Sequence, residues 1–120
     1  MDTSNSLLFD VINILPEGVD CEIQAPSLED EVLLHLMRKT EFEDHPIKLE
    51  GENKKVFLER IKCHPVEEFF NRVEIKLCNK TLFEGYDGVE FGVISKTIEL
   101  PNWFIDKYIK KDLCIISNEW

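Results

Sequence analysis

The sequence predicts a single α+β domain over residues 1–120, with a small antiparallel sheet of about three to five strands packed against about three to four helices. Three observations support this. The length of 120 residues suits one domain, and 43% apolar residues are enough for one hydrophobic core. Segments with helical spacing of apolar residues are interspersed with segments that alternate apolar and polar residues.

The first third of the chain predicts a helix, a strand and a second helix. Residues 6–15 carry apolar side chains at helical spacing, with Asp10 on the polar side. Residues 19–25 alternate apolar and acidic or amide side chains, which is typical of a strand with one buried face. We expect the second helix over residues 28–40, capped by Ser27 and begun by three carboxylates that complement the helix dipole.

The middle of the chain gives weaker patterns. A His-Pro pair and a glycine interrupt residues 41–53, so we expect only a short strand at 47–49. Residues 54–63 fit a helix better than a strand, although a short strand is the alternative. Residues 66–71 can form one further helical turn after Pro65.

The last third predicts most of the sheet. Residues 73–78 and 81–86 form a hairpin, and residues 89–100 supply a third strand after an Asp-Gly turn. A last helix begins after Pro101, and the apolar residues of 113–117 predict a buried strand.

Charge is the clearest functional signal. The chain has 24 acidic and 14 basic residues, a net charge of −10. Residues 1–52 carry 13 acidic and 3 basic side chains, 3 − 13 = −10, whereas residues 53–120 carry 11 of each. This distribution disfavours direct nucleic-acid binding, which needs Lys and Arg at phosphates, and favours a basic protein partner. The alternative is that the charge only maintains solubility.

Cysteine usage and hydropathy indicate a cytoplasmic protein without a membrane segment. No apolar run approaches the ~20 residues that span a bilayer, and no basic residue precedes Arg38, as a secretory signal would require. The four cysteines form no C-x-x-C pair, so we expect reduced, buried thiols. Two disulfides are the alternative in an oxidising compartment.

No motif for catalysis, metal or cofactor binding is present. Cys63-His64 lacks a partner at a zinc spacing, and there is no nucleophile elbow. The glycines between Glu84 and Gly92 do not match a P-loop and lie among carboxylates that repel phosphate. We therefore expect neither a catalytic residue nor a cofactor.

Two features suggest protein contacts. The segment 84–92 combines turn formers, three carboxylates, Tyr86 and Phe91, and predicts a contact loop unless both aromatic rings face the core. Trp103 falls on the polar side of the last helix, together with Asp106, Lys107 and Lys110. The alternative is that its ring folds back onto the preceding loop.

A small, acidic, reduced α+β domain without a catalytic motif resembles the bacterial immunity proteins of toxin systems, including those of contact-dependent inhibition. The resemblance covers the general character of the chain and no diagnostic motif. It implies a cytoplasmic inhibitor that covers the active or substrate-binding surface of a basic, nuclease-like toxin domain. A small enzyme using some of Cys63, His64 and the carboxylates, or an adaptor subunit of a larger assembly, is the alternative. The expected partner-binding residues are Glu29, Asp30, Glu31, Glu41, Glu43, Asp44, Glu84, Tyr86, Asp87, Glu90 and Trp103.

Overall fold

The computed structural model describes residues 5–36 and 44–120. Within these ranges the chain forms one α+β domain with six strands and four helices. The strands are β1 (Val19–Gln24), β2 (Asp44–Leu49), β3 (Arg72–Leu77), β4 (Lys80–Tyr86), β5 (Phe91–Ile94) and β6 (Cys114–Ile116). The helices are α1 (Leu7–Ile14), α2 (Glu31–Leu36), α3 (Gly51–Cys63) and α4 (Asn102–Phe104, continued by a π-helical turn at Ile105–Ile109), and a 3₁₀ turn lies at Glu67–Phe69.

The six strands form one mixed sheet in the order β2-β1-β3-β4-β5-β6. The first five strands pair antiparallel, and β6 pairs parallel to β5. The predicted α+β class is confirmed. The sheet, however, has six strands where three to five were predicted, and β6 is parallel where an antiparallel sheet was predicted. Parallel neighbours need a crossover connection, and α4 provides one between β5 and β6.

The helices cover one face of the sheet. Alternate residues of the strands point into this layer and are fully buried, among them Cys21, Ile23, Val73, Ile75, Phe83 and Ile94. They meet Leu8 and Val11 of α1, Phe57 of α3 and Phe104 of α4, all inaccessible to solvent. The opposite face of the sheet has no covering helix among the described residues.

The second helix starts later than predicted. Leu28 N–H donates to the Ala25 carbonyl in a turn, and the Asp30 carboxylate accepts the Leu33 N–H at 3.0 Å. Asp30 therefore caps a helix that begins at Glu31, and the prediction of a cap at Ser27 was wrong. Residues 37–40 of the predicted helix lie outside the described residues.

Two predicted strands also differ. The third strand, expected over residues 89–100, is limited to β5. It ends in a turn in which the hydroxyls of Ser95 and Thr97 are hydrogen-bonded at 2.7 Å. The expected buried strand at 113–117 is β6 at the sheet edge, where Ile115 is 45% and Ile116 48% exposed. An edge strand has a neighbour on one side only, so its apolar side chains are not automatically covered.

A buried ion pair joins the two ends of the described chain. Asp10 is 4% exposed, and its carboxylate accepts hydrogen bonds from the Lys107 ammonium at 2.7 Å and from the Tyr108 hydroxyl. The predictions that Asp10 and Lys107 lie on solvent-facing sides of their helices were wrong. Each side chain is buried because the other neutralises it.

Candidate protein-binding surface

The uncovered face of the sheet is the main candidate site. The outward positions of β1, β3 and β4 lie side by side, because Glu22 is opposite Glu74 and Glu74 is opposite Glu84. On β5, the outward residue Val93 lies opposite Glu84 of β4, and on its other side Val93 lies opposite Ile115 of β6. The face therefore changes from charged on β1 and β3 to apolar on β5 and β6.

The charged half of this face is held by ion pairs. Arg72 donates to Glu84 at 2.6 Å and lies 3.9 Å from Glu74, whose other oxygen is 3.5 Å from Lys76. The hydrogen bond with Glu84 raises the pKa of Arg72, so this guanidinium keeps its charge. Glu22 has no ion-pair partner among the described residues and is exposed.

Tyr86 connects the charged half to the apolar half. Its hydroxyl donates to Glu84 at 3.0 Å. Burial and this hydrogen bond raise the pKa of Tyr86, so the hydroxyl remains a neutral donor. Its cross-strand neighbour is Phe91, which is 37% exposed. The two rings thus lie on the open face, and the alternative that they face the core was wrong.

Two glycines explain why the rings point outward. Gly85 and Gly92 are opposite each other on the covered face, and the Phe83 ring lies across them. A Cβ at Gly92 would lie 2.5 Å from two carbons of that ring. Phe83 thus fills the covered side, and strand alternation places Tyr86 and Phe91 on the other.

The turn between β4 and β5 carries two solvated carboxylates. Asp87, Gly88 and Val89 have positive φ angles of 53°, 74° and 57°. The turn is anchored because Gly88 N–H donates to the Phe70 carbonyl at 2.9 Å. Asp87 and Glu90 are exposed at the end of the open face, beside the two rings. The predicted contact loop is therefore an anchored turn with an acidic rim.

The other predicted site residues lie elsewhere. Glu29 and Glu31 are exposed near the start of α2, which packs on α3 in the helical layer. Asp30 pairs with Arg60 at 2.7 Å, and this interaction contributes to lowering the pKa of Asp30. Trp103 is half-buried with its ring edge-on to Phe104. The backbone of Asp44 begins β2, and Glu41 and Glu43 lie outside the described residues.

Sequence reasoning missed several residues of the open face. It did not select Glu22, Arg72, Glu74, Val93 or Ile115 as site residues. The period-two alternation of each strand carried the necessary signal, since it separates outward from inward positions. The pairing of the strands was needed to show that these positions are neighbours.

Other chemistry is not evident in the described part of the chain. No group of three or more metal-ligating side chains occurs there. Cys21 and Cys114 are buried, and burial raises the pKa of Cys114 to about 12. Cys63 and Cys78 are exposed, which corrects the expectation that all four thiols are buried.

None of the helices formed by residues 5–36 and 44–120 combines the length and apolarity that crossing a bilayer requires. Comparison with known proteins found no matching family model, no matching curated protein and no matching solved structure.

Proposed function

We propose that this chain is a cytoplasmic protein-binding inhibitor of the immunity-protein type, which neutralises a basic, nuclease-like toxin domain. The observation that carries the proposal is the open sheet face, on which Tyr86 and Phe91 stand beside the acidic turn of Asp87 and Glu90. Aromatic anchors beside charged groups are common at the centres of protein interfaces.

Binding accounts for this surface better than catalysis does. Arg72, Glu74, Glu84 and Lys76 neutralise one another, and Tyr86 is a fixed neutral donor. Such a network orients the side chains and holds each carboxylate against a cation or a hydroxyl. A rigid surface of this kind reduces the side-chain entropy lost on association.

The charge of the chain supports a basic partner. The net charge of −10 creates a field that accelerates encounter with a positively charged protein. Glu22, Asp87 and Glu90 are exposed on or beside the open face and have no ion-pair partner among the described residues. Three cationic groups of a partner could pair there without displacing an existing ion pair.

We expect a basic toxin domain to be encoded beside this chain, and the test uses that domain. The purified chain should bind that domain and inhibit its nuclease activity, with an association rate that falls as salt rises. Reversing both turn carboxylates, Asp87→Lys with Glu90→Lys, should weaken binding at least tenfold. The same charge change on α3, Glu52→Lys with Glu59→Lys, is the matched control and should weaken it less, because α3 lies behind the sheet.

Circular dichroism and melting of both variants are compared first. Equal loss in the two variants would show that net charge alone matters and would remove the open face from the proposal. A folded turn variant that binds and inhibits like the parent would likewise refute this location. Absence of binding and inhibition by the parent chain would refute the immunity function for that pair.

A further inference from the structure

A cavity lies at the end of the open sheet face that is opposite the acidic turn. Its volume is about 320 Å³. The residues that line it include Leu82, Ser95, Thr97 and Trp120. Thr81 also lines it, and the Thr81 hydroxyl donates to Glu74 at 3.3 Å on the open face. The cavity is therefore on the face that carries the two aromatic rings and not in the helical layer.

Apolar residues connect the cavity to the acidic turn. Thr81 and Tyr86 stand near the two ends of β4, and the strand between them corresponds to about 15 Å. Between these ends Val93 of β5 lies opposite Glu84, and Ile115 of β6, which is 45% exposed, lies beside Val93. One segment of a partner can therefore contact the turn, the apolar residues and the cavity at once.

The walls of the cavity combine apolar residues with hydrogen-bond donors. Leu82 and the half-buried Trp120 are its apolar residues. The hydroxyls of Ser95 and Thr97 are 2.7 Å apart, and the Thr97 N–H donates to the Ser95 hydroxyl. The two hydroxyls carry two protons and their mutual bond uses one, so the second can be donated to a bound group. Lys80 also lines the cavity, and its side chain has donors only.

We propose that this cavity receives a tyrosine side chain of the basic partner, on a segment whose cationic residues meet Asp87 and Glu90. The inference rests on the proposed function, because it names the chemistry of the partner at the same open face. The phenol ring suits the apolar walls, and its oxygen can accept a proton from the donors of the cavity. Tryptophan offers only a donor, and phenylalanine has no polar atom. Small-molecule pockets range from about 300 to 1,000 Å³, so a cavity near the lower limit has room for one large side chain.

Charge determines the direction of this segment and the identity of its owner. The exposed carboxylates of Asp87 and Glu90 attract its cationic end. Lys80 and Lys96 are exposed at the cavity end, where a second cationic group would be repelled. A second copy of this chain would bring its net charge of −10 to the acidic turn. The open face therefore favours the basic partner over a second copy.

The variant Thr97→Trp tests the proposal by filling the cavity, since Thr97 is exposed and lines it. Surface plasmon resonance measures the binding of the basic domain, after circular dichroism has shown that the variant folds. Thr97→Trp should raise the dissociation rate at least about tenfold, as loss of a central anchor does. The association rate should change little, because the charges that steer the encounter are retained. Asn53→Trp, exposed on α3, is the matched control and should bind like the parent.

A second measurement leaves the cavity unaltered. The chain has two tryptophans, so a fluorinated tryptophan gives two fluorine NMR signals, which Trp103→Phe assigns. Addition of the basic domain should shift the Trp120 signal. The Trp103 ring packs edge-on to Phe104, and its signal should stay in place.

The tyrosine is identified from the side of the partner. Tyrosines of the basic domain are replaced by phenylalanine one at a time. One replacement should weaken binding to the parent chain and have little further effect on binding to Thr97→Trp, because that variant already excludes the ring.

In a complex that forms, an unchanged Trp120 signal, a parent-like dissociation rate of Thr97→Trp, or no sensitive tyrosine would overturn this inference. The proposed function would then stand on the effect of the turn variants. Absence of binding by the parent chain would refute the proposed function and this inference with it. A Trp120 signal that moves as the concentration of the chain alone rises would show that a second copy fills the cavity, and would likewise overturn the proposal.

Discussion

Replacing Asp10 by Ala should destabilise the fold strongly. Asp10 lies in α1 and pairs with Lys107, 97 positions later, so the change removes the carboxylate that neutralises a lysine from a distant part of the chain. The side chains of Asp10 and Lys107 are 5% and 13% exposed. Truncation therefore leaves a nearly buried ammonium and removes the nearer of the two acceptors of the Tyr108 hydroxyl, the other being the Asn5 carbonyl at 3.3 Å.

The magnitude follows from the state of the groups left behind. Removing one partner of a buried ion pair typically costs about 3–5 kcal/mol. Lys107 also donates to the Asn5 carbonyl at 2.9 Å, so part of its hydrogen bonding survives. We therefore expect a loss of about 3 kcal/mol in the free energy of unfolding, at the lower end of that range. Asp10→Leu combined with Lys107→Met should cost much less than either single change, because no buried charge remains.

Urea unfolding followed by circular dichroism measures these free energies. The parent, Asp10→Leu, Lys107→Met and the double variant form a double-mutant cycle. The expected coupling between the two positions is at least about 1.5 kcal/mol. A loss below about 1 kcal/mol for Asp10→Ala, or additive effects in the cycle, would refute the buried pair as a major source of stability.

Three further predictions follow from packing, burial and exposure. Gly92→Ala should lower the free energy of unfolding by about 1–3 kcal/mol, because the new methyl group meets the Phe83 ring. Adding Phe83→Leu to this variant should recover part of the loss. Urea titration that shows no recovery would contradict the contact between the two positions. Burial raises the pKa of Glu67 to about 7 from 4.5, so the folded state binds the extra proton and stability falls as pH rises between these values. Glu67→Gln should therefore raise the melting temperature, relative to the parent, more at pH 8 than at pH 5. An equal rise at both pH values would show that burial of the ionised Glu67 carboxylate does not cost stability. A thiol reagent should label Cys63 and Cys78 in the native protein, and Cys21 and Cys114 only after unfolding. Rapid labelling of all four cysteines in the native protein would contradict the burial of Cys21 and Cys114.

Most individual elements were predictable because their signals are local. The alternation of Val19, Cys21 and Ile23 with acidic residues predicted β1, and the structure buries all three. The helical spacing in α1 was equally clear, and the Ser6 hydroxyl caps this helix by accepting the Phe9 N–H. Alternation also separated the two faces of each strand, which is why the outward position of Glu84 could be anticipated.

The candidate site was only partly predictable. Glu84, Tyr86, Asp87 and Glu90 were selected from their local composition, and the structure places them together at one end of the open face. Their neighbour Arg72 was not selected, because nothing local marks a lysine or arginine on one strand as the partner of a carboxylate on another. That contact depends on the register between β3 and β4.

The sequence by itself determined the α+β class, the acidic charge and the periodicity of most strands and helices, because each depends on composition or on residues a few positions apart. The tertiary structure decided the strand order, the parallel pairing of β6, the burial of Asp10 and the uncovered sheet face. Each of these depends on contacts between distant segments, as between α1 and α4. A local pattern shows that a side chain prefers water or core, and only the packed neighbours determine whether a charge is neutralised or an apolar edge is covered.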